Sequence, residues 1–260
     1  MSGDELSLRV SVATLARVVF PHDGATMLAL ERKATLRNDT AYVVAQPFGG
    51  AVRLLNVAAL HDLIGAFRFD SDRSRAEQDF RILIRPADWS RVKAFCLHHL
   101  RRADDPALET DPERELIEEL AECLQVTLKP TQFTYRSIGI AIEDTPTPTD
   151  NIYSQGVPTV RLYSIFEVMI TDTALCLALL NASERHTDAA LGTLAVNNAQ
   201  SGGRGRANSV LTIPLDSMTT FYRIMSPDQR YGAVNLDGHP LDPSVLAILD
   251  SIDVPQLQRL

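Results

Sequence analysis

Alternation of apolar and polar residues near the start of the chain predicts a series of β-strands. Residues 6–12 alternate strictly, and apolar runs follow at 15–20, 27–31 and 41–45. A period of two gives a strand one side-chain row for the core and another for solvent. The sequence Pro-His-Asp-Gly at 21–24 separates two of these runs, and such turn residues predict a β-hairpin.

The rest of the chain mixes helical and strand patterns, which predicts an α/β fold with a mixed sheet flanked by helices. Apolar residues at helical spacing predict helices at 57–67, 86–100, 110–124, 174–198 (with a break near Ser183), 214–224 and 243–251. Further strands are predicted at 80–84, 133–142, 160–171 and 210–213. Loops are predicted at 32–40, 70–75, the proline-rich 145–149 and the glycine-rich 200–208.

Composition and charge indicate an ordinary globular chain and argue against two classes of partner. The 260 residues are 45% hydrophobic and 22% charged, values that exclude a fully disordered protein and a fibrous one. A net charge of −8 provides no broad cationic surface for nucleic acid. No apolar run reaches the roughly 20 residues that span a bilayer, so no membrane partner is expected.

Cysteine usage and the N-terminus predict a cytoplasmic protein. Cys96, Cys123 and Cys176 lie far apart and form no CxxC pair, so the sequence indicates buried thiols rather than disulfides or a zinc site. The N-terminus is acidic where a secretory signal peptide would be basic and apolar.

The candidate chemistry lies on the helix predicted at 110–124. At about 100° per residue, Glu115, Glu118, Glu119 and Glu122 fall on one stripe opposite an apolar face. Like charges at these spacings repel by about 0.2–0.5 kcal/mol per pair, whereas several carboxylates close together are the ligands of hard divalent cations. The alternative is a solvated acidic face, which would make the chain an α/β protein with no site on this helix.

Two short motifs carry a resemblance to a known family. Residues 114–119 read Arg-Glu-Leu-Ile-Glu-Glu, and residues 47–52 read Pro-Phe-Gly-Gly-Ala-Val after a predicted strand. The first motif resembles the core of the Nudix box, and the second resembles the Gly-Gly turn that precedes the box. The hairpin at 18–30, with the Glu-Arg-Lys that follows it, resembles the opening strands of that family.

The resemblance implies a Nudix-like fold and a divalent-metal-dependent pyrophosphohydrolase that acts on a nucleoside diphosphate linked to another group. It assigns Glu115, Glu118 and Glu119 to one or more Mg²⁺ or Mn²⁺ ions, with Glu118 also a catalytic residue. It makes Arg114 the second catalytic residue, because the arginine of the box orients the carboxylates. The implied partner is a nucleotide-type small molecule, and a homodimer stays open.

The motif departs from the family pattern in its spacing. The glutamate that stands eight residues before the arginine of the box is Pro106 here, and Glu109 is a displaced candidate for its role. Ala121 replaces the closing glycine, and 58 residues separate the Gly-Gly turn from Glu109. We therefore predict one Nudix-like domain over 1–260, with an α/β subdomain inserted at 54–108. The broken box leaves open a non-catalytic module that senses a nucleotide or scaffolds an assembly.

Candidates for substrate binding lie in glycine-rich segments. Gly49 and Gly50 precede the box, and Arg204 and Arg206 lie in the sequence Gly-Gly-Arg-Gly-Arg at 202–206. Backbone N–H groups and guanidiniums of such a loop bind phosphate, although a mobile surface loop has the same composition. Acids and histidines from later segments are further candidates for a base or a metal ligand: Glu143, Asp144, Glu184 and His186.

Overall fold

The described part of the chain forms a mixed sheet flanked by helices, which confirms the predicted fold class. The computed structural model describes residues 5–37, 40–149, 154–203 and 205–217, and the backbone of 232–234 and 252–253. The strands are β1 (Leu8–His22), β2 (Ala25–Arg37), β3 (Thr40–Gln46), β4 (Phe48–Ala51), β5 (Arg68–Phe69), β6 (Arg81–Ile84), β7 (Phe133–Pro148), β8 (Pro158–Ile170), β9 (Arg206–Pro214), β10 (Gly232–Val234) and β11 (Ile252–Asp253). The helices are α1 (Val57–Ile64), α2 (Asp72–Glu77), α3 (Trp89–His99), α4 (Glu113–Leu124), α5 (Thr173–Arg185) and α6 (Asp188–Gln200).

Strand β1 is the centre of the sheet. It joins the strands predicted at 6–12 and 15–20 into one, and the predicted turn at 21–24 connects it to β2 as a hairpin. β1 pairs in parallel with β8 along one side. Along its other side it pairs in succession with β6, β4 and β2, all antiparallel. β1 therefore pairs directly with both β2 and β4, the strands that carry residues of the candidate site.

Strands β3 and β4 are two halves of one extended segment that changes partner. β3 pairs with β2, whereas β4 pairs with β1. Pro47 lies between the two halves and has no backbone N–H to donate. The Gly-Gly pair lies just beyond this crossing, so the switch of partner brings it to the middle of the sheet.

On one face of β1, the core forms two clusters. Val10 and Val12 pack with helices α1 and α3, and Val18 and Phe20 pack with α4 and α5. These residues share a face because alternate positions of a strand do. Thr14 lies between the clusters and is 3% exposed, so the boundary of the core is polar where β4 adds to β1.

The segment 54–108 extends the same sheet rather than standing apart from it. β6 pairs with the first residues of β1, and β5 pairs with β6. The two ends of the segment also meet, because Leu54 and Leu108 form an antiparallel bridge. The assignment of 54–108 as an insertion within one domain over 1–260 stays a prediction.

Two predicted loops are wrong because hydrogen bonding favours regular structure there. The segment 32–40 belongs mostly to β2, which pairs with β3 on one side and β9 on the other. The segment 70–75 leads into α2, where Oγ of Ser71 accepts a hydrogen bond from the N–H of Ser74. Such a cap satisfies a donor that the first helical turn leaves unpaired.

The proline-rich segment 145–149 is also not a loop, since β7 runs on to Pro148. The pairing of β7 with β8 shifts register between Glu143 and Thr147, and Pro146 lies inside this shift. An irregularity of this kind removes the need for a ladder hydrogen bond that proline cannot donate.

Helix predictions hold apart from their ends. α4 begins at Glu113 rather than at Thr110. The helix predicted at 174–198 is two helices, α5 and α6, and the break lies at 186–187 rather than near Ser183.

The last predicted elements are only partly described. β9 begins at Arg206, inside the loop predicted at 200–208. Residues 215–217 are helical, while the remainder of the predicted helix 214–224 and all of 243–251 lie outside the described residues. Within the described ranges, no helix is both long and apolar enough to cross a membrane.

Candidate functional site

Helix α4 carries the predicted metal ligands and packs on the sheet by its opposite face. Leu116, Leu120 and Cys123 are buried in the core that α4 shares with α5 and the second half of β1. This apolar stripe fixes the rotation of the helix about its axis. The acidic stripe consequently lies alongside β4, at the polar boundary of the core.

Two carboxylates of α4 lie directly against the Gly-Gly pair. The N–H of Gly49 donates a 2.5 Å hydrogen bond to Oε2 of Glu119. The carboxylate of Glu115 covers Gly50, because a Cβ placed on Gly50 would lie 1.9 Å from Oε2 of Glu115. The missing side chain at Gly50 therefore allows the helix and the strand to approach this closely.

Gly49 is required for a separate reason. Its φ is 147°, a backbone conformation that residues with a Cβ rarely adopt. A Cβ on Gly49 would also lie 2.0 Å from the carbonyl oxygen of Thr14 on β1. The two glycines thus have different roles: Gly49 permits the strand pairing, and Gly50 makes room for a carboxylate.

Arg114 contacts three carboxylates of the site. Its Nε and Nη2 donate to the two oxygens of Glu109 at 2.8 and 2.6 Å. Its Nη1 lies 2.5 Å from Glu115 and 3.5 Å from Glu118, and Nη2 also donates to the carbonyl of Ala51. Burial would lower the pKa of Arg114, but the hydrogen bonds and charges of Glu109 and Glu115 raise it above its usual value.

Glu109 performs the pairing that the family spacing would give to the residue at Pro106. The N–H of Glu109 donates to the carbonyl of Arg53, so the end of the segment 54–108 returns beside its start. That return brings the Glu109 carboxylate to Arg114 despite the shifted spacing. A bidentate pair of this kind is directional as well as strong, so it fixes the guanidinium plane.

A fifth carboxylate, that of Glu31 on β2, also lies at this site. It is 2% exposed, and its Oε2 accepts a 2.5 Å hydrogen bond from Nε2 of Gln46. Burial and the charge of Glu31 raise the pKa of Glu119 to about 8, while the N–H of Gly49 and the charge of Lys33 oppose this rise. Glu31 is not among the site residues predicted from the sequence, although a carboxylate facing inward on a strand was a usable signal.

The donor chemistry of this site fits a divalent cation. Burial raises the pKa of Glu115 even though Arg114 opposes it. Several carboxylate oxygens gathered at a partly buried site are the ligands that Mg²⁺ or Mn²⁺ binds. Glu118 is 59% exposed and reaches solvent beside them. In the part of the chain that the structure describes, no three His, Cys, Asp or Glu side chains already stand in an arrangement that would hold a metal ion.

The other predicted site residues are not gathered at this cluster. Glu143 is buried and accepts hydrogen bonds from Arg161 and Thr147. Asp144 instead accepts from Trp89 of α3, which joins β7 to that helix. These contacts give both acids a structural role.

The four remaining predicted site residues have different outcomes. Glu184 is exposed, and His186 has a shielded Nδ1 without a hydrogen-bond partner among the described residues. Arg206 lies on β9 and is exposed. Arg204 lies outside the described residues. The three cysteines are buried, as predicted.

A Nudix-type domain is defined by three features together. These are the mixed sheet, the glycine pair, and the acidic helix α4, whose carboxylates Arg114 contacts. A family model described as the SMODS-associated NUDIX domain matches residues 7–206, and the chain belongs to this family. No curated protein and no solved structure matches the chain. The resemblance found in the two sequence motifs is therefore confirmed. Nudix domains generally use divalent metals, and membership indicates a hydrolase or nucleotide-related role.

Replacing Gly50 by alanine is expected to reduce activity much more than it reduces the stability of the fold. The three atoms nearest to the new Cβ all belong to the carboxylate of Glu115, the far end of a flexible side chain. We expect the melting temperature to fall by less than about 4 °C, because the nearest atoms belong to the end of a side chain rather than to the backbone. We expect any metal-dependent activity to fall by about tenfold or more, because Glu115 leaves its position. Calorimetric melting together with an activity assay checks both effects, and a large loss of stability with unchanged activity would contradict the expectation.

Proposed function

We propose that this protein is a divalent-metal-dependent pyrophosphohydrolase acting on a nucleoside diphosphate linked to another group. The observation that supports this most is the placement of Glu115 and Glu119 against the two glycines. This contact gathers two carboxylates of one helix at one end of an extended segment, where several oxygens could share a divalent cation. Membership of the Nudix family supports the same reaction class.

The residues of the site have distinct tasks in this proposal. Glu115, Glu118 and Glu119 would hold Mg²⁺ or Mn²⁺, which when bound neutralises phosphate charge and lowers the pKa of a coordinated water. Arg114 orients Glu115 and is itself held by Glu109. The N–H of Gly49 orients Glu119. Glu115 and Glu119 are therefore each supported by a second contact, which raises their positional precision.

Glu118 is the carboxylate most open to substrate, since it is 59% exposed. In the proposed reaction it would accept a proton from the attacking water. The water oxygen then forms a bond to one phosphorus, the bridging P–O bond breaks, and the departing phosphate takes the electron pair. The products are two monophosphate groups, and no oxidant or reductant is needed.

A non-catalytic nucleotide-sensing or scaffold module is the second candidate. It is favoured by the engagement of Glu115 with Arg114 and by the absence, within the described residues, of three side chains already arranged around a cation. Such a module would bind a nucleotide without turning it over.

The test is a hydrolysis assay across nucleotide sugars, dinucleoside polyphosphates and nucleoside triphosphates. With Mg²⁺ or Mn²⁺ present we expect cleavage of at least one class at the pyrophosphate linkage, abolished by EDTA and restored by added Mn²⁺. Turnover that is indifferent to EDTA would contradict the metal-dependent mechanism. Calorimetric binding of a nucleotide with no turnover of any substrate would instead favour the sensing module.

A further inference from the structure

A polar row on β2 and β9 continues the carboxylate site along the sheet. In the antiparallel register, Lys33 lies opposite Asn208, and Arg206 lies opposite Thr35. Alternate residues of a strand share a face, so these positions lie on the same face as Glu31. Val210, opposite Glu31, packs in the same core as α4, which identifies this as the face that the helix partly covers.

The spacing along the row is set by strand geometry. Two residues along a strand advance by about 7 Å and four residues by about 14 Å. Lys33 is therefore one step from Glu31, and Arg206 is two steps away. An extended ligand with one end at the carboxylates would run along the row and reach both cations.

Lys33 is the cation nearest the carboxylates. Its Nζ lies 3.4 Å from both oxygens of Glu31, and its side chain is 23% exposed. These are long contacts for a charged pair, so the ammonium retains capacity for a further anion. A lysine at this position acts as a point charge beside a phosphate.

Asn208 and Arg206 are the other two members of the row. Each has a polar group that could still bind a ligand. Oδ1 of Asn208 is shielded and finds no hydrogen-bond donor in the described part of the chain. A shielded acceptor without a donor is unfavourable, so a ligand that supplied an N–H or O–H to it would be stabilised. Arg206 is exposed and makes no ion pair with any residue that the structure describes.

We propose that Lys33, Asn208 and Arg206 form the nucleotide-binding strip of this site. Lys33 binds the phosphate next to the carboxylates, Asn208 accepts a hydrogen bond from the nucleoside, and Arg206 binds a second anionic group at the far end. The ligand class is a nucleoside 5′-diphosphate unit that carries an additional phosphate on the nucleoside. The proposal rests on the proposed function only in placing the diphosphate at the carboxylates.

The experiment is a calorimetric titration with ADP, GDP and their 3′-phosphorylated forms, in Ca²⁺ without Mg²⁺ or Mn²⁺. We expect wild type to bind the 3′-phosphorylated form of at least one nucleotide about tenfold more tightly than the parent. Arg206→Gln should abolish this preference and leave affinity for the parent unchanged. Lys33→Met should weaken both forms by about tenfold, and Lys33→Arg should restore most of that affinity.

Matched controls are Arg101→Gln and Lys129→Met, which remove exposed cations elsewhere and should change neither affinity. Failure of all four probes to bind, or a preference for the extra phosphate that survives Arg206→Gln, would overturn the strip. If wild type shows no hydrolysis while the Arg206-dependent preference persists, the proposed reaction fails and the strip stands. If hydrolysis occurs and the preference is absent, the proposal of the nucleotide-binding strip is contradicted and the proposed reaction is not.

Discussion

Replacing Gly49 by alanine is expected to lower the free energy of unfolding by about 3 kcal/mol or more. The new Cβ would lie 2.0 Å from the carbonyl oxygen of Thr14 and 3.0 Å from Cα of Leu15, so backbone atoms of β1 or β4 must separate. The φ of 147° adds strain that no rotation of a side chain relieves. Denaturant unfolding followed by circular dichroism measures the effect, with an accompanying fall in melting temperature of about 10 °C.

Gly24→Ala is the matched control for this variant. Gly24 also has a positive φ, 79°, but a Cβ placed there meets no atom within 4 Å. We expect a cost of about 1 kcal/mol, which reports backbone strain alone. Equal effects at the two glycines would show that the close approach of β4 to β1 does not matter.

Replacing Glu118 by glutamine is expected to lower kcat/KM by about 100-fold or more. Glutamine keeps the size of the side chain but removes the charge that binds a cation and accepts a proton. Stability should change by less than about 1 kcal/mol, since the ion pair between Glu118 and Arg114 spans 3.5 Å and is partly exposed. Steady-state kinetics on the best substrate, with thermal melting in parallel, measure both quantities.

Glu122→Gln supplies the control for charge on the helix. Glu122 lies one turn further along α4 and is exposed, so its substitution removes the same charge from the same acidic stripe. We expect activity within about twofold of wild type. A similar decrease in both variants would indicate that the overall negative field of α4, rather than one positioned carboxylate, supports the reaction.

The parts of this fold that follow from local pattern could be predicted from the sequence. The alternation in β1, the hairpin after it and the amphipathic period of α4 each depend on neighbouring residues, and each is present in the structure. The Gly-Gly pair could also be identified, because glycines after a strand indicate a close approach of backbone. What the pattern could not convey was why each glycine is needed, since Thr14 and Glu115 come from distant segments.

Contacts between residues that are far apart in the sequence could not be predicted in this way. Glu109 reaches Arg114 because the ends of the segment 54–108 meet, and a count of residues carries no information about that meeting. Glu31 lies near Glu119 only because α4 packs on the face of the sheet to which Glu31 of β2 belongs. The prolines of 145–149 predict a loop because local propensity says nothing of a register shift with β8.

A crystal structure of the full chain soaked in Mn²⁺, with anomalous scattering recorded at the manganese edge, tests most directly whether the carboxylates of α4 bind a cation. We expect an anomalous peak next to Gly49 and Gly50, with oxygens of at least two of Glu115, Glu118 and Glu119 at about 2.0–2.4 Å. An empty cluster at saturating Mn²⁺, with Glu115 still bound to Arg114, would contradict the assignment of this helix as a metal site.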